Sequence, residues 1–535
     1  MATIDLEKHG LVAPAQRPEI PGAGPQTVAD VLDATLALDP EREALVGRGA
    51  RYTYRELDAA VKRAANALAG LGVAPGDRVA ACLPNDTEIV VAFLATQRLG
   101  ALWVGVNRVL ATPEKVYILA DSEASIFLTE DETAAQLVAR RQELPALHHV
   151  LRADPGDASS DWARALGAAS EAPLSVEIDP FAPAAIAYTS GTTGFPKGAV
   201  HCQHNLLVVG AVSVSIGAAP AEERIGVMLP LTILNLMVLG PITAYQVGTC
   251  LVAMDRIDAV GVAEWVREEG VNSFATVPTV IHDLLTHPDV KPADLVALVR
   301  PLVGGAECPE EFREIYRARF GREVSLGYGM TEAPTAVTYG EGGQYEPGQC
   351  GAARPQIELS IRDSEGRSLA PGEVGEICVA PARRGEWAGV YTPMLGYWNK
   401  PEATAEALAD GVFHTGDLGF LDASGELTVR GRIKELILRG GANVYPAEVE
   451  RVICGDPRVA DCAVLGRPDE RLGERVAAVV QRQPGAEITA EEIRERCLTE
   501  LARYKVPDFV LFIDELPRNA MNKVVKPRLR ELVEA

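Results

Sequence analysis

The chain has 535 residues, 47% of them apolar, and 51 basic against 74 acidic side chains leave a net charge of −23. That length exceeds one ordinary core and gives roughly three or four domain-sized units, while the acidic balance argues against nucleic acid or an anionic membrane as main partner. The opening M-A-T-I-D-L-E-K-H-G lacks the apolar core of a secretory signal, and nine scattered cysteines without a C-x-x-C pair indicate neither a zinc site nor a disulfide framework, so a reducing cytoplasm is expected.

Leu57, Val61, Ala64, Leu68 and Leu71 recur at helical spacing, and Gly72 with Pro75 ends that helix. Arg78 to Leu83 is a short apolar strand, and Asn85 with Glu88 stands in capping-box spacing at the head of a helix running to about Leu99. Such alternation over the first 430 residues predicts mostly parallel sheets covered by helices, a layered α/β body.

The stretch Tyr188 to Val200, Y-T-S-G-T-T-G-F-P-K-G-A-V, follows a short apolar run at Ala184 to Ala187. Gly191, Gly194 and Gly198 let backbone N–H groups approach phosphate oxygens, with Thr and Ser hydroxyls as further donors and Lys197 as the cation. It is not the common P-loop, because Pro196 stands where that motif's second glycine belongs and offers no N–H. Bare Gly/Ser/Thr runs are more often turns, but the whole string reads as a triphosphate cradle.

Ile225 to Met254 runs thirty residues without a charge, long enough to cross a bilayer. Pro230, Pro241, Asn235, Gln246 and three internal glycines would break a spanning helix, so a buried strand, loop and helix around an apolar pocket is expected. Further on, L-G-Y-G-M-T-E at Leu326 to Glu332 offers a ring between glycines, the hydroxyl of Thr331 and the hard carboxylate of Glu332, which suits one metal ligand or, alternatively, an ordinary helix start. From about Ile357 strand pairs gather around D-S-E-G and D-A-S-G turns at Asp363 to Gly366 and Asp422 to Gly425, a smaller β subdomain. In H-T-G-D-L, Asp417 either can accept both hydroxyls of a ribose or is an ordinary β-turn aspartate. Beyond Arg432, Pro446 opens a helix, Val459 to Leu465 and Val476 to Val480 read as strands, and Thr489 with Glu492 caps another helix, so 433–535 is expected to be a compact α+β module.

Taken together these strings resemble the adenylate-forming (ANL) superfamily: acyl-CoA synthetases, peptide-synthetase adenylation domains and firefly-type luciferases. The likeness runs from Y-T-Y-R-E-L at 52–57 to Lys523. It implies an N-terminal AMP- and acyl-binding domain over 1–432 and a small mobile C-terminal domain over 433–535. It assigns Thr189, Ser190, Gly191, Thr192, Thr193, Gly194 and Lys197 to the phosphates, and Gly305, Ala306, Glu307, Tyr328, Gly329 and Thr331 to the nucleotide. Asp417 and Arg432 fall to the ribose, Glu332 to Mg²⁺, Lys434 to the hinge, and Gly440 and Gly441 to the pantetheine tunnel. Lys523 matches the catalytic lysine, although Asn522 replaces the usual preceding glycine.

The implied activity uses ATP and Mg²⁺ to convert a carboxylic acid to an acyl-adenylate and then passes the acyl group to coenzyme A, in two half-reactions sharing one pocket. The 225–254 run, Val277 to Thr279, Val303 to Ala306 and residues near Ala333 would form the acyl site. They offer no charge to pair an α-ammonium or a second carboxylate, which favours an apolar fatty, alicyclic or aromatic monocarboxylic acid. The aromatic residue and His that many relatives carry after the corresponding Pro-Leu are absent, since Pro230-Leu231 is followed by Thr232-Ile233-Leu234-Asn235. Three other readings share the motifs: an adenylation enzyme loading a carrier protein, a luciferase-like oxygenase, and a non-catalytic binding protein. No integral membrane segment or nucleic-acid partner is expected, and a homodimer is compatible with this reading.

Overall fold

Helix Tyr54–Gly70 buries Leu57, Val61, Ala64 and Leu68, the stripe predicted from spacing, and begins in a capping box between Thr53 and Glu56. Gly72 beyond it has φ +91°, a left-handed position that ends the helix. Strand Arg78–Cys82 and helix Thr87–Arg98 follow.

The cap of that second helix differs from the expectation. Asp86, not Asn85, is the N-cap, and its carboxylate accepts the Thr87 N–H at 2.7 Å. Asn85 is buried and turned toward another segment: it donates to Val227 O at 3.1 Å and Leu229 O at 2.8 Å, and accepts from Leu231 N at 2.8 Å. An amide carries both donor and acceptor and so satisfies three backbone groups around Pro230, which a carboxylate could not do.

The computed structural model describes residues 4–154, 156–189, 196–217, 222–304, 310–334, 336–341, 348–518 and 524–534. The chain divides into two compact units, Met1–Leu359 with Val379–His414, and Ser360–Cys378 with Thr415–Ala535. In the first, one sheet runs in the order Gly396–Tyr397, Lys197–Cys202, Pro183–Thr189, Leu102–Gly105, Arg78–Cys82, Ile126–Thr129, His149–Arg152. Its pairings are parallel from Pro183–Thr189 onward and antiparallel at the two leading strands. A second sheet carries Glu43–Val46, Cys250–Ala253, Arg224–Val227, Ser273–Thr276, Arg300–Gly304 and Ser325–Gly327 as parallel neighbours in that order. Helices between these strands give the predicted layered α/β arrangement.

The charge-free run forms strand Arg224–Val227, a helical stretch from Leu234 to Val247 and strand Cys250–Ala253. The middle of the helix, Val238–Ile242, is a π turn around Pro241, and the Thr243 hydroxyl donates to Val238 O at 2.8 Å. Pro241 supplies no N–H, and the widened turn accommodates it. Among the described residues no helix is long and apolar enough to cross a membrane.

In the second unit, Asp417 to Leu421 pairs antiparallel with the strand Glu426–Arg432, and Gly425 in the intervening turn has φ +87°. A five-stranded sheet holds Ala442–Val444, Ile437–Arg439, Gly473–Arg482, Val459–Asp469 and Phe509–Ile513. Helix Pro446–Cys454 starts with proline at its first turn, and helix Ala490–Glu500 opens in the Thr489–Glu492 capping box, both as expected. Val449, Val452, Ile453, Val464, Val476, Val480 and Ile493 form their shared core.

Because Asn85 satisfies three buried backbone groups, Asn85→Ala is expected to cost about 3 kcal/mol and lower the thermal unfolding midpoint by roughly 3 °C. Calorimetry checks this. An unchanged midpoint would reassign Asn85 to a minor role.

Candidate active site

The described ends of the predicted phosphate string are paired strands. Strands Pro183–Thr189 and Lys197–Cys202 pair antiparallel, with Thr189 opposite Lys197 and Tyr188 opposite Gly198. Ser190, Gly191, Thr192, Thr193 and Gly194 lie outside the described residues, as do Gly305, Ala306, Glu307 and Lys523. Gly198 sits inside the strand, contrary to its reading as a phosphate-cradling glycine. A Cβ there would stand 2.5 Å from Ile186 Cγ2 and 3.2 Å from the Tyr188 ring, and its carbonyl accepts the Trp398 N–H at 2.8 Å. Packing within the sheet requires that glycine.

Successive strand residues face opposite ways, so Lys197, Ala199 and His201 share one face. Val200 and Cys202 pack into one core cluster, whereas Ala199 packs into another with Ala333, Val337 and Tyr397. On that second side Tyr397 lies directly across from Ala199. The Lys197 ammonium stands 4.2 Å from the centroid of the Tyr397 ring, and the Tyr397 hydroxyl donates to Glu332 Oε1 at 3.0 Å. The structure thus brings together the candidate phosphate cation and the candidate metal ligand.

His201 serves the neighbouring residue. It is fully buried, its Nε2–H donates to Thr331 O at 2.7 Å, and its Nδ1 accepts from Asn205 Nδ2 at 3.2 Å. Asn205 is itself fixed by donation to Pro393 O at 3.1 Å and by the Thr392 hydroxyl, which donates to Asn205 Oδ1 at 2.8 Å. Desolvation lowers the His201 pKa to about 4, against a weaker opposing effect of the hydrogen bond to Thr331. The ring is neutral at physiological pH, and one tautomer suits the network. Behind this loop Tyr328 is held through Thr338: Tyr328 N donates to Thr338 Oγ1 at 3.0 Å, and the Thr338 hydroxyl donates to Cys350 O at 2.6 Å. Gly329 follows in the same loop and is exposed.

In the second unit Asp417 and Arg432 are cross-strand partners, with Arg432 Nε 3.2 Å from Asp417 Oδ1. Asp417 is 7% exposed, and Arg430 forms a bulge beside it. Lys434 lies exposed in the short 3₁₀ turn Ile433–Glu435. Gly440 and Gly441, at φ +59° and +85°, are the two-residue turn joining Ile437–Arg439 to Ala442–Val444, the geometry of a type I′ hairpin. Near the end of the chain Arg518 pairs with Val524, and Lys526 bridges Glu435 and Glu450, both at 2.9 Å.

The sequence profile of AMP-binding enzymes matches residues 32–398, and that of the AMP-binding enzyme C-terminal domain matches 448–523. The chain belongs to the AMP-binding enzyme family. It is 35% identical over 491 residues to the long-chain-fatty-acid–CoA ligase FadD13 of Mycobacterium tuberculosis, covering 90% of this chain and 93% of that protein. It is 34% identical over 510 residues to the indoleacetate–CoA ligase of Aromatoleum aromaticum, covering 95% and 98%. Among solved structures, ATP-bound MatB from Rhodopseudomonas palustris superposes with a TM-score of 0.85 at 30% identity, over 95% of this chain and 99% of that one.

Within this AMP-binding enzyme, sequence reading missed His201 and Tyr397. His201 carries a signal in hindsight, since it lies at Lys197+4 on the same strand face. Protonating His201 on acidification should cost stability. Its unfolded pKa near 6.5 exceeds the folded value of about 4, so the unfolded state takes up the proton first. The contribution is intact above about pH 6.5 and falls by about 1.4 kcal/mol per pH unit down to about pH 4. Thermal midpoints of wild type and His201→Asn from pH 7.5 to 4.5 are expected to show a shallower acid decline in the variant, and parallel curves would contradict the assignment.

Proposed function

We propose that this AMP-binding enzyme is an ATP-dependent, AMP-forming carboxylic acid–CoA ligase acting on an apolar fatty, alicyclic or aromatic acid. The observation that carries the reading is the clustering of Lys197, Tyr397 and Glu332 at the foot of the phosphate hairpin, within a chain that aligns with CoA ligases over nine-tenths of its length.

A carboxylate is a poor electrophile because a thiol attacking it directly would have to expel an oxide. Attack of the carboxylate oxygen on the α-phosphorus of ATP breaks the bond to pyrophosphate and leaves an acyl-adenylate. The CoA thiolate then attacks the acyl carbon, and AMP departs with the C–O bond electrons. Thr189, Lys197 and the backbone of 190–195 would hold the β- and γ-phosphates, and Asp417 with Arg432 the ribose. Glu332 Oε1 accepts the Tyr397 hydroxyl, and among the described residues Oε2 accepts no hydrogen bond, so one hard oxygen is available for a divalent cation. Mg²⁺ bound there supplies neutralisation of phosphate charge. Lys523 would bridge the attacking carboxylate and the α-phosphate.

Residues 433–535 are proposed to turn about Lys434 between the half-reactions, withdrawing Lys523 and presenting Gly440 and Gly441 to the pantetheine arm. The preformed hairpin at these two glycines supports a close approach by a thin ligand. For the acid, the uncharged segment holds buried polar atoms of Thr232 and Asn235 and no Asp, Glu, Lys, Arg or His. An apolar monocarboxylate is the class that leaves no buried charge unpaired.

A panel of fatty, alicyclic and aromatic acids, assayed for ATP- and CoA-dependent AMP release, is expected to identify substrates, and formation of ADP and orthophosphate would refute the mechanism. Lys523→Ala is expected to lower adenylate formation by about a hundredfold or more, while thioester formation from supplied acyl-adenylate stays within a few-fold of wild type. Equal loss in both half-reactions would refute the domain movement.

A further inference from the structure

We propose that Tyr397 is a positioning residue that keeps Lys197 and Glu332 apart yet aligned, so that the cation remains available to phosphate and the carboxylate to a divalent metal. The inference rests on the assignment of those two groups to the nucleotide. Lys197 and Glu332 have opposite charges and converge on one side chain, an arrangement that ordinarily collapses into an ion pair. Among the described residues they form none. Instead the ammonium lies over the face of the Tyr397 ring and the carboxylate receives that ring's hydroxyl. The face of an aromatic ring is negative and its phenolic O–H is a donor, so a single tyrosine attracts both partners by different parts.

The ring is placed with more restraint than a two-residue strand would otherwise have. Tyr397 is 6% exposed, and its N–H donates to Thr404 Oγ1 at 2.9 Å. The flanking residues are tied to the phosphate hairpin: Leu395 N donates to Val200 O and Trp398 N to Gly198 O, both at 2.8 Å. Gly396 has φ +127°, and a Cβ on it would stand 2.5 Å from Thr404 Cγ2, so no other residue fits before the tyrosine. Trp398 is fully buried, stacks on His9 at 3.9 Å and donates to Asp121 O at 3.0 Å. A side chain held on both sides in this manner sets the position of flexible partners rather than following them.

Two variants separate the two halves of the side chain. Tyr397→Phe keeps the ring face and removes the hydroxyl; Tyr397→Leu removes both. Binding of ATP is measured by titration calorimetry, without acid or CoA, at a series of free Mg²⁺ concentrations and in EDTA. Tyr397→Phe is expected to raise the Mg²⁺ concentration for half-maximal ATP affinity by on the order of tenfold while leaving affinity in EDTA unchanged. Tyr397→Leu is expected to weaken binding in EDTA as well, by several-fold. Unchanged Mg²⁺ dependence in Tyr397→Phe overturns the proposal, as does equal weakening by both variants under both conditions. Lys197→Ala and Glu332→Gln run alongside: if neither alters ATP binding, the underlying nucleotide assignment fails, whereas normal sensitivity of those two with insensitivity of Tyr397→Phe refutes the tyrosine's role alone.

Discussion

The alternation of one strand governs the candidate site. Lys197–Cys202 is paired on one edge with the strand that enters the phosphate string and on the other with Gly396–Tyr397. A strand has only two faces, and here one packs into one core cluster while the other, with Ala199 in a second cluster, carries Lys197 and His201 toward Tyr397 and Thr331. A slip of one residue in either pairing would turn the lysine into the opposite core cluster and swap the side chains of the two faces. The register therefore fixes the chemistry, and the buried residues Val200 and Cys202 fix the register.

Among the described residues, the links from that strand to the T-E loop are made without a direct ion pair. A cation over a ring contributes about 0.5–2 kcal/mol, and a hydrogen bond to a charged group about 1.5–3 kcal/mol. Both are strong enough to hold a side chain and weak enough to be exchanged for other partners. His201 makes a different kind of link. Its neutral ring binds a backbone carbonyl, so the path of the chain through Thr331 is set independently of what the side chains later bind.

Local patterns were legible wherever the physics was local. The stripe on Tyr54–Gly70, the caps at Pro446 and Thr489, and the glycine turn at Gly425 follow from spacing and backbone preference alone. The Y-T-S-G-T-T-G and Y-G-M-T-E strings could be singled out because each is a short contiguous motif. Tyr397 was not, since a two-residue strand has no period and its meaning comes from pairing with residues two hundred positions earlier. Asn85 misled for the opposite reason: its spacing from Glu88 satisfies a capping rule, while the competing demand of the Pro230 segment is set by tertiary structure. Gly198 likewise looked like part of a cradle, and only the closeness of Ile186 reveals the steric cause.

The π turn at Val238–Ile242 alters how the uncharged segment can change over time. In an unbroken α-helix each residue advances about 100°, so the burial pattern of one end dictates that of the other. An extra residue taken up midway uncouples the two phases. The portion beginning at Leu234 can change its side-chain bulk while Ala244 and Tyr245 keep their buried seats. Change at one end of the helix then proceeds on a scaffold whose other end stays as it was.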